Sequence, residues 1–206
     1  MTGQTFGATI ERVFTLVPPS RPPSLFGAEE PAIDPELAGL ERGRLGDRSW
    51  VDLLPGWLRG EEAVFERLRE QLPWGQRTVT MYDQRLLEPR LTAWWQAGQD
   101  PEPLPILADI RIVLSRHYDE QFDSIGFNCY RDGQDSVAWH GDRHRHVVAD
   151  PVVAIVSVGE PRPFKLRPRG GGPARSFDVG RGDLLVMGGS CQHDWEHCVP
   201  KVRATG

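Results

Sequence analysis

Cysteine is scarce in this chain: Cys129, Cys191 and Cys198 are the only three among 206 residues. So few, and an odd number, exclude a disulfide-built scaffold and point to a reducing compartment. No apolar run approaches the roughly 20 residues of a membrane span. The N-terminus lacks the charged start and apolar block of a secretory signal. A cytoplasmic, monomeric protein without a membrane partner is expected. An excess of basic charge is missing as well, since 24 Lys and Arg face 29 Asp and Glu, a net charge of −5. Any contact with nucleic acid must therefore come from a local patch. There is no internal repeat and no sign of a second domain. With 39% hydrophobic residues, the chain has enough apolar material for one substantial core.

Proline and glycine crowd the start, with Val17-Pro18-Pro19-Ser20-Arg21-Pro22-Pro23 at the centre of the crowding. Residues 1–46 are expected to be a loosely ordered arm on the surface, followed by one domain over 47–206. Ser49 to Leu53 alternates like a short strand. Glu61 to Leu72 places Phe65, Leu68 and Leu72 on one helical face, with acidic Glu61 and Glu62 in the first turn. Arg77 to Tyr82 and Leu91 to Trp95 read as strands. Leu107, Ile110, Leu114 and Tyr118 recur at helical spacing behind Pro105, which a first turn tolerates.

From Ser124 onward the texture changes to short apolar runs separated by Gly, Pro and Asp. Ile125 to Tyr130, Val152 to Val158, Phe164 to Arg167, Ser176 to Val179 and Leu184 to Met187 read as strands, with glycine-rich turns between them. Many short strands at close spacing indicate a sandwich or jelly roll. The fold class is α+β, a jelly-roll core with supporting helices on one face.

The chemistry concentrates in Trp139-His140-Gly141-Asp142. In an extended segment residues i and i+2 share a face, so His140 and Asp142 can converge on one ion without distorting the backbone. A third ligand is expected from elsewhere, and His197 is the best candidate. Two histidines and one carboxylate on one side of an ion are the facial triad of non-haem Fe(II) oxygenases, which leaves coordination positions open. Zinc is the rival. Cys191, His193, His197 and Cys198 could form a tetrahedral set, but their spacing is unfamiliar. His197 and Cys198 are also sequence neighbours, whose side chains would point apart in a strand.

From about Leu45 to the end, the chain resembles the AlkB-like 2-oxoglutarate- and Fe(II)-dependent dioxygenases, in particular their short bacterial members. The resemblance rests on Met81-Tyr82-Asp83, Glu88-Pro89-Arg90-Leu91, Asn128-Cys129-Tyr130-Arg131-Asp132-Gly133 and Trp139-His140-Gly141-Asp142. Downstream it continues in Leu166-Arg167-Pro168-Arg169, Gly182-Asp183-Leu184-Leu185 and His197-Cys198-Val199-Pro200-Lys201. It implies a double-stranded β-helix with His140, Asp142 and His197 as iron ligands. It also implies that Asn128 and Tyr130 hydrogen-bond the cosubstrate 2-oxoglutarate, a task for which an amide and a phenol supply donors. The implied reaction consumes dioxygen and converts 2-oxoglutarate to succinate and carbon dioxide. An N-linked alkyl group is hydroxylated and leaves as aldehyde, as in the repair of alkylated DNA or RNA.

Two departures qualify the resemblance. The family ends on a strand with two arginines whose forked cations hold the cosubstrate's carboxylates. This chain stops at Gly206, where that strand should begin, and Arg203 sits too close to His197 to match either arginine. A truncated domain with an open sheet edge is the expectation. Second, Arg143-His144-Arg145-His146 follows the HGD where many relatives carry an acidic residue. With Arg167, Arg169 and Arg175 it could form a basic, substrate-facing lip, although a solvated loop is the plainer expectation. The substrate expected first is an alkylated base in a single strand or flipped from a duplex, stacked on Tyr82, Trp94 or Trp95. Alternatives are an oxygenase acting on protein, lipid or metabolite, and a catalytically silent binding module.

Overall fold

The computed structural model describes residues 13–18, 29–81, 84–142 and 150–203. The first elements are β1 (Val13–Val17), β2 (Ala32–Ile33), β3 (Glu41–Arg44), β4 (Ser49–Leu54), β5 (Leu58–Arg59) and α1 (Glu61–Gln71). Then come β6 (Thr78–Met81), β7 (Gln84–Leu87), β8 (Leu91–Gln96) and α2 (Pro105–Tyr118). The remainder is β9 (Ser124–Cys129), β10 (Val137–His140), β11 (Val153–Gly159), β12 (Arg162–Pro168), β13 (Arg175–Val179), β14 (Asp183–Gly189), α3 (Cys191–Asp194) and β15 (Trp195–Val199).

Two sheets carry the core. The larger has seven strands in the order β3-β4-β14-β11-β1-β9-β8, and the smaller has four in the order β10-β15-β12-β13. Strand alternation sorts the apolar side chains between two layers. Val153 and Ile155 of β11, with Leu185 and Met187 of β14, meet Phe164 and Leu166 of β12 between the sheets. The intervening Ala154, Val156, Leu184 and Val186 face the other way, onto Val64, Phe65 and Leu68 of α1 and Leu107, Ile110 and Leu114 of α2. β11 is buried on both faces along its whole length, hence a run that is apolar but for Ser157. This is the α+β jelly roll expected from the sequence, with helices on one face.

Of the expected loose arm over 1–46, residues 1–12 and 19–28 lie outside the described residues, and the described part carries strands instead. Val13–Val17 is a central strand, parallel to both β11 and β9. Phe14 and Leu16 are buried against the helices and Val17 between the sheets. The segment was obscured because five residues beside a proline cluster carry too little periodicity to read. Glu41–Arg44 is likewise a strand, at the sheet edge. Because β1 pairs with both β9 and β11, neither of those strands presents an open edge. After β15, residues 200–203 carry no further strand.

Local signals agree with the element ends. α1 opens with Glu61 and Glu62 at its positive end and stops before Pro73. α2 starts on Pro105 and ends at Asp119, whose left-handed φ of 53° breaks the helix. Gly159 also has a left-handed φ, 81°, and a side chain there would strike the Val17 carbonyl, so only glycine lets β1 lie alongside the end of β11.

Candidate metal centre

His140 ends β10 and His197 lies in β15, and the two are direct cross-strand partners. Cross-strand neighbours on one face stand close enough for their side chains to meet, and here the ring centroids are 4.2 Å apart. The chain turns after His140, and the Asp142 carboxylate comes back to both rings. Its Oδ1 lies 3.9 Å from His140 Nε2 and 3.7 Å from His197 Nε2. One ligand atom from each of the three residues lies within 4.8 Å of the others. Among the described residues this is the one cluster of His, Cys, Asp and Glu able to hold a metal ion.

The protonation states suit coordination. His140 Nδ1 is 2.8 Å from the Ala138 carbonyl oxygen. A carbonyl can only accept, so Nδ1 donates there and Nε2 is the ring nitrogen turned toward Asp142. His197 is buried and stacks on Phe164 at 5.3 Å. Burial, reinforced by the charge of His140, pushes its pKa from the usual 6.5 down to about 3. It is neutral and ready to ligate. Two imidazoles and a carboxylate are a donor set that suits a divalent ion of the iron type.

The backbone around the cluster is braced. The Asp142 N–H donates to Gln192 Oε1 at 3.3 Å, and Gln192 sits in α3. Arg169 donates to the carbonyls of His193 and Gln192 at 2.8 and 3.2 Å. Its guanidinium presses on Gly141, where a Cβ would come within 2.6 Å of Nη2. Buried Arg162 donates to the carbonyls of Asp132, Asp135 and Pro200 at 2.8, 2.8 and 2.9 Å, tying the β9–β10 loop to the segment after β15.

The triad faces a cavity of about 110 Å³. Asn128 and Tyr130 line it as well, so five residues singled out in the sequence share one space. Burial pushes the Tyr130 phenol above its usual pKa, which keeps the O–H a donor at neutral pH. Asn128 Oδ1 accepts from Arg90 Nε at 2.8 Å.

The expected substrate contacts fare differently. Tyr82, Arg143 and His144 lie outside the described residues. Arg167 and Arg169 do not line the cavity. Arg167 is bonded to Glu196 Oε2 at 3.0 and 2.8 Å and lies 4.1 Å over the Trp139 ring, while Arg169 supports the HGD from behind. Trp94 lines the cavity and is 37% exposed, whereas Trp95, on the opposite face of β8, is buried and donates to the Pro101 carbonyl at 3.0 Å. The zinc alternative gains nothing: Cys191 and Cys198 are buried, and burial pushes the Cys191 thiol up to about 12. Sequence reading missed Arg77, Arg90, Thr15 and Thr92 as cavity residues. Glu88-Pro89-Arg90 was visible as a motif but offered no clue to its role, and Thr15 lay in the supposed arm.

Comparison with known proteins agrees with this geometry. A family model described as the 2OG-Fe(II) oxygenase superfamily matches residues 51–205. The rat alpha-ketoglutarate-dependent dioxygenase alkB homolog 3 is 34% identical over 174 residues, covering 74% of this chain and 59% of its own. Its human counterpart is 33% identical over 174 residues, with 74% and 61% covered. The Arabidopsis thaliana DNA oxidative demethylase ALKBH2 is 29% identical over 175 residues, with 66% and 56% covered. The chain thus spans about three-fifths of the length of these curated relatives. The solved structure of OsALKBH1 superposes with a TM-score of 0.51 at 13% identity, covering 79% of this chain and 88% of that one, a likeness of fold.

Proposed function

Because this chain belongs to the 2OG-Fe(II) oxygenase superfamily, we propose that it is an AlkB-like dioxygenase that removes alkyl groups from ring or exocyclic nitrogens of nucleobases in DNA or RNA. The observation that carries this reading is the convergence of His140, Asp142 and His197 on one face of a cavity that also holds Asn128 and Tyr130. In it, the triad holds Fe(II), and Asn128 and Tyr130 bind 2-oxoglutarate. The iron supplies dioxygen activation coupled to decarboxylation of the cosubstrate. The protein fixes three ligands with Ala138, Gln192 and the β10–β15 pairing, keeps His197 deprotonated, and lines the space with apolar Phe164, Ile155 and Val199.

Trp94, at once cavity-lining and exposed, suits a base stacked at the mouth, as enzymes acting on unpaired bases require. The names of the relatives, dioxygenases and DNA oxidative demethylases, favour the same substrate class. Among the described residues no helix is long and apolar enough to cross a membrane. The sparse, unpaired cysteines fit a cytoplasmic setting.

Anaerobic addition of Fe(II) and then 2-oxoglutarate should give a visible metal-to-ligand charge-transfer band, absent in His197→Ala. With oxygen, succinate release should rise on N-methylated single-stranded oligonucleotides over unmethylated ones. A wild-type protein without the band would overturn the metal assignment. Succinate formation indifferent to every methylated oligonucleotide would move the substrate to another class.

A further inference from the structure

We infer that Arg162 is a positioning residue of the metal centre: it locks the register of β10 against β15, and that register turns His140 into the cavity. The inference rests on the metal centre described above. It concerns a side chain that lines no part of the cavity.

β10 is a weak element by itself. It has four residues, stands at the edge of the small sheet and is paired, among the described residues, with β15 alone. The pairing is also irregular. Val137 faces Val199 and His140 faces His197, so three steps along β10 match two along β15. Ala138 and Trp139 together oppose Cys198, a β-bulge of one extra residue. Side chains alternate along a strand, so without the bulge residues three apart would look to opposite faces. With it, Val137 and His140 both line the cavity, beside Val199 and His197. The bulge serves the ring as well, because the Ala138 carbonyl within it faces His140 Nδ1 at 2.8 Å. A slip of β10 by one residue would undo both and send His140 to the outer face.

So short a ladder does little to resist a slip. Arg162 adds what it lacks. It opens β12 and is only 4% exposed. Its Nη2 donates to the carbonyl of Asp135, just ahead of β10, and to that of Pro200, just past β15, at 2.8 and 2.9 Å. One nitrogen thus pins both chains immediately outside the Val137–Val199 pair. Nη1 holds the Asp132 carbonyl at 2.8 Å, and farther along the Val202 N–H donates to the Gly133 carbonyl at 2.9 Å. A planar fork spans three carbonyls in a way that an ammonium cannot. Stability alone is a poor reason for such a group. Arg162 is a buried cation whose Nε has no hydrogen-bond partner among the described residues, and desolvation of that kind is incompletely offset. Fixing a register is the best-attested use of a buried polar group.

The test reads metal affinity and local opening in the full chain. Mn(II) binding is followed by loss of the free-ion EPR signal, and amide hydrogen exchange is mapped on the metal-free protein. Arg162→Met should weaken Mn(II) binding by about 10- to 100-fold, the range for lost support around a metal ligand. Exchange should quicken in β10 and β15 while β4, β11 and β14 keep their protection. Leu114→Ala removes packing from the helix-facing core instead. It should lower the melting midpoint yet leave Mn(II) affinity within about 2-fold. Arg162→Lys, an ammonium in place of the fork, should lose about 3-fold in affinity and decides the matter if the methionine variant does not fold. The role falls if Arg162→Met, or failing that Arg162→Lys, binds Mn(II) as wild type does. It falls equally if exchange rises evenly across both sheets, or if Leu114→Ala weakens binding as much as Arg162→Met. Wild-type protein that binds no Mn(II) would overturn the metal centre and this role together, an outcome distinct from wild type and variant binding alike.

Discussion

At the scale of single residues, the middle position of the HGD is the most sharply constrained. Gly141 has no catalytic atom of its own, yet a Cβ there would meet Arg169 Nη2 at 2.6 Å and the Gln192 carbonyl oxygen at 3.3 Å. The arginine tip can swing away, but doing so strains its bonds to Gln192 and His193, and Gln192 in turn orients Asp142. Gly141→Ala should therefore weaken Mn(II) or Fe(II) binding by roughly 10-fold, the lower end for loss of outer support around a metal ligand. In an Arg169→Ala background the same alanine should cost much less, because the obstructing group is gone. That non-additivity, measured as a double-mutant cycle of metal affinities, is the discriminating result. Equal losses in both backgrounds would mean that the alanine acts through the backbone alone.

At the scale of elements, α1 shows a conflict between helix electrostatics and burial. Glu61 stands in the first turn, where the helix dipole favours a negative charge, and its carboxylate accepts from the Gly159 N–H at 2.7 Å. Burial outweighs both and raises its pKa above the usual 4.5. A raised carboxyl pKa means the folded state holds its proton more tightly than the unfolded state. Folding is thus unpenalised below pH ~4.5 and loses stability as pH rises through the higher folded value. Glu61→Gln keeps an acceptor for Gly159 without the charge. It should raise the melting midpoint by about 1–3 °C at pH 7, and the gain should vanish by about pH 4. A gain that persists in acid would assign the effect to something other than ionisation. The strands show what could be read in advance. β4, β9, β11, β12 and β14 carry alternating or unbroken apolar residues between glycine and proline turns, and each lies within two residues of its expected place. β15 reads Trp-Glu-His-Cys-Val, and its polar members, engaged with Arg167 and Asp142, hide the pattern. The HxD pair was legible because its geometry is local. Arg90, Thr15 and Thr92 were not, because only strand register brings them to Asn128.

At the scale of the molecule, the departure over residues 13–17 matters most. β1 fills the middle of the large sheet, contributing Phe14 and Leu16 to the helix-facing core and Thr15 to the cavity. The Tyr130 N–H donates to the Leu16 carbonyl at 2.9 Å. The strand therefore joins two layers of the core to the residue proposed to bind cosubstrate. A surface arm would tolerate truncation of an apolar side chain within about 0.5 kcal/mol. A fully buried leucine in a central strand would not: Leu16 is 0% exposed, and Leu16→Ala should cost about 2–5 kcal/mol. In urea this should appear as a lower midpoint with an unchanged slope, since the surface exposed on unfolding is nearly the same. Removing residues 1–18 should do more, taking one hydrogen-bonded neighbour from each of β9 and β11 and uncovering core on two faces, so that the remainder should lose cooperative unfolding and bind apolar dyes. If the shortened chain instead melts sharply at the wild-type temperature, β1 is dispensable and the sheet must close in another way. The cavity floor at Thr15 would then have to be rebuilt from a different segment.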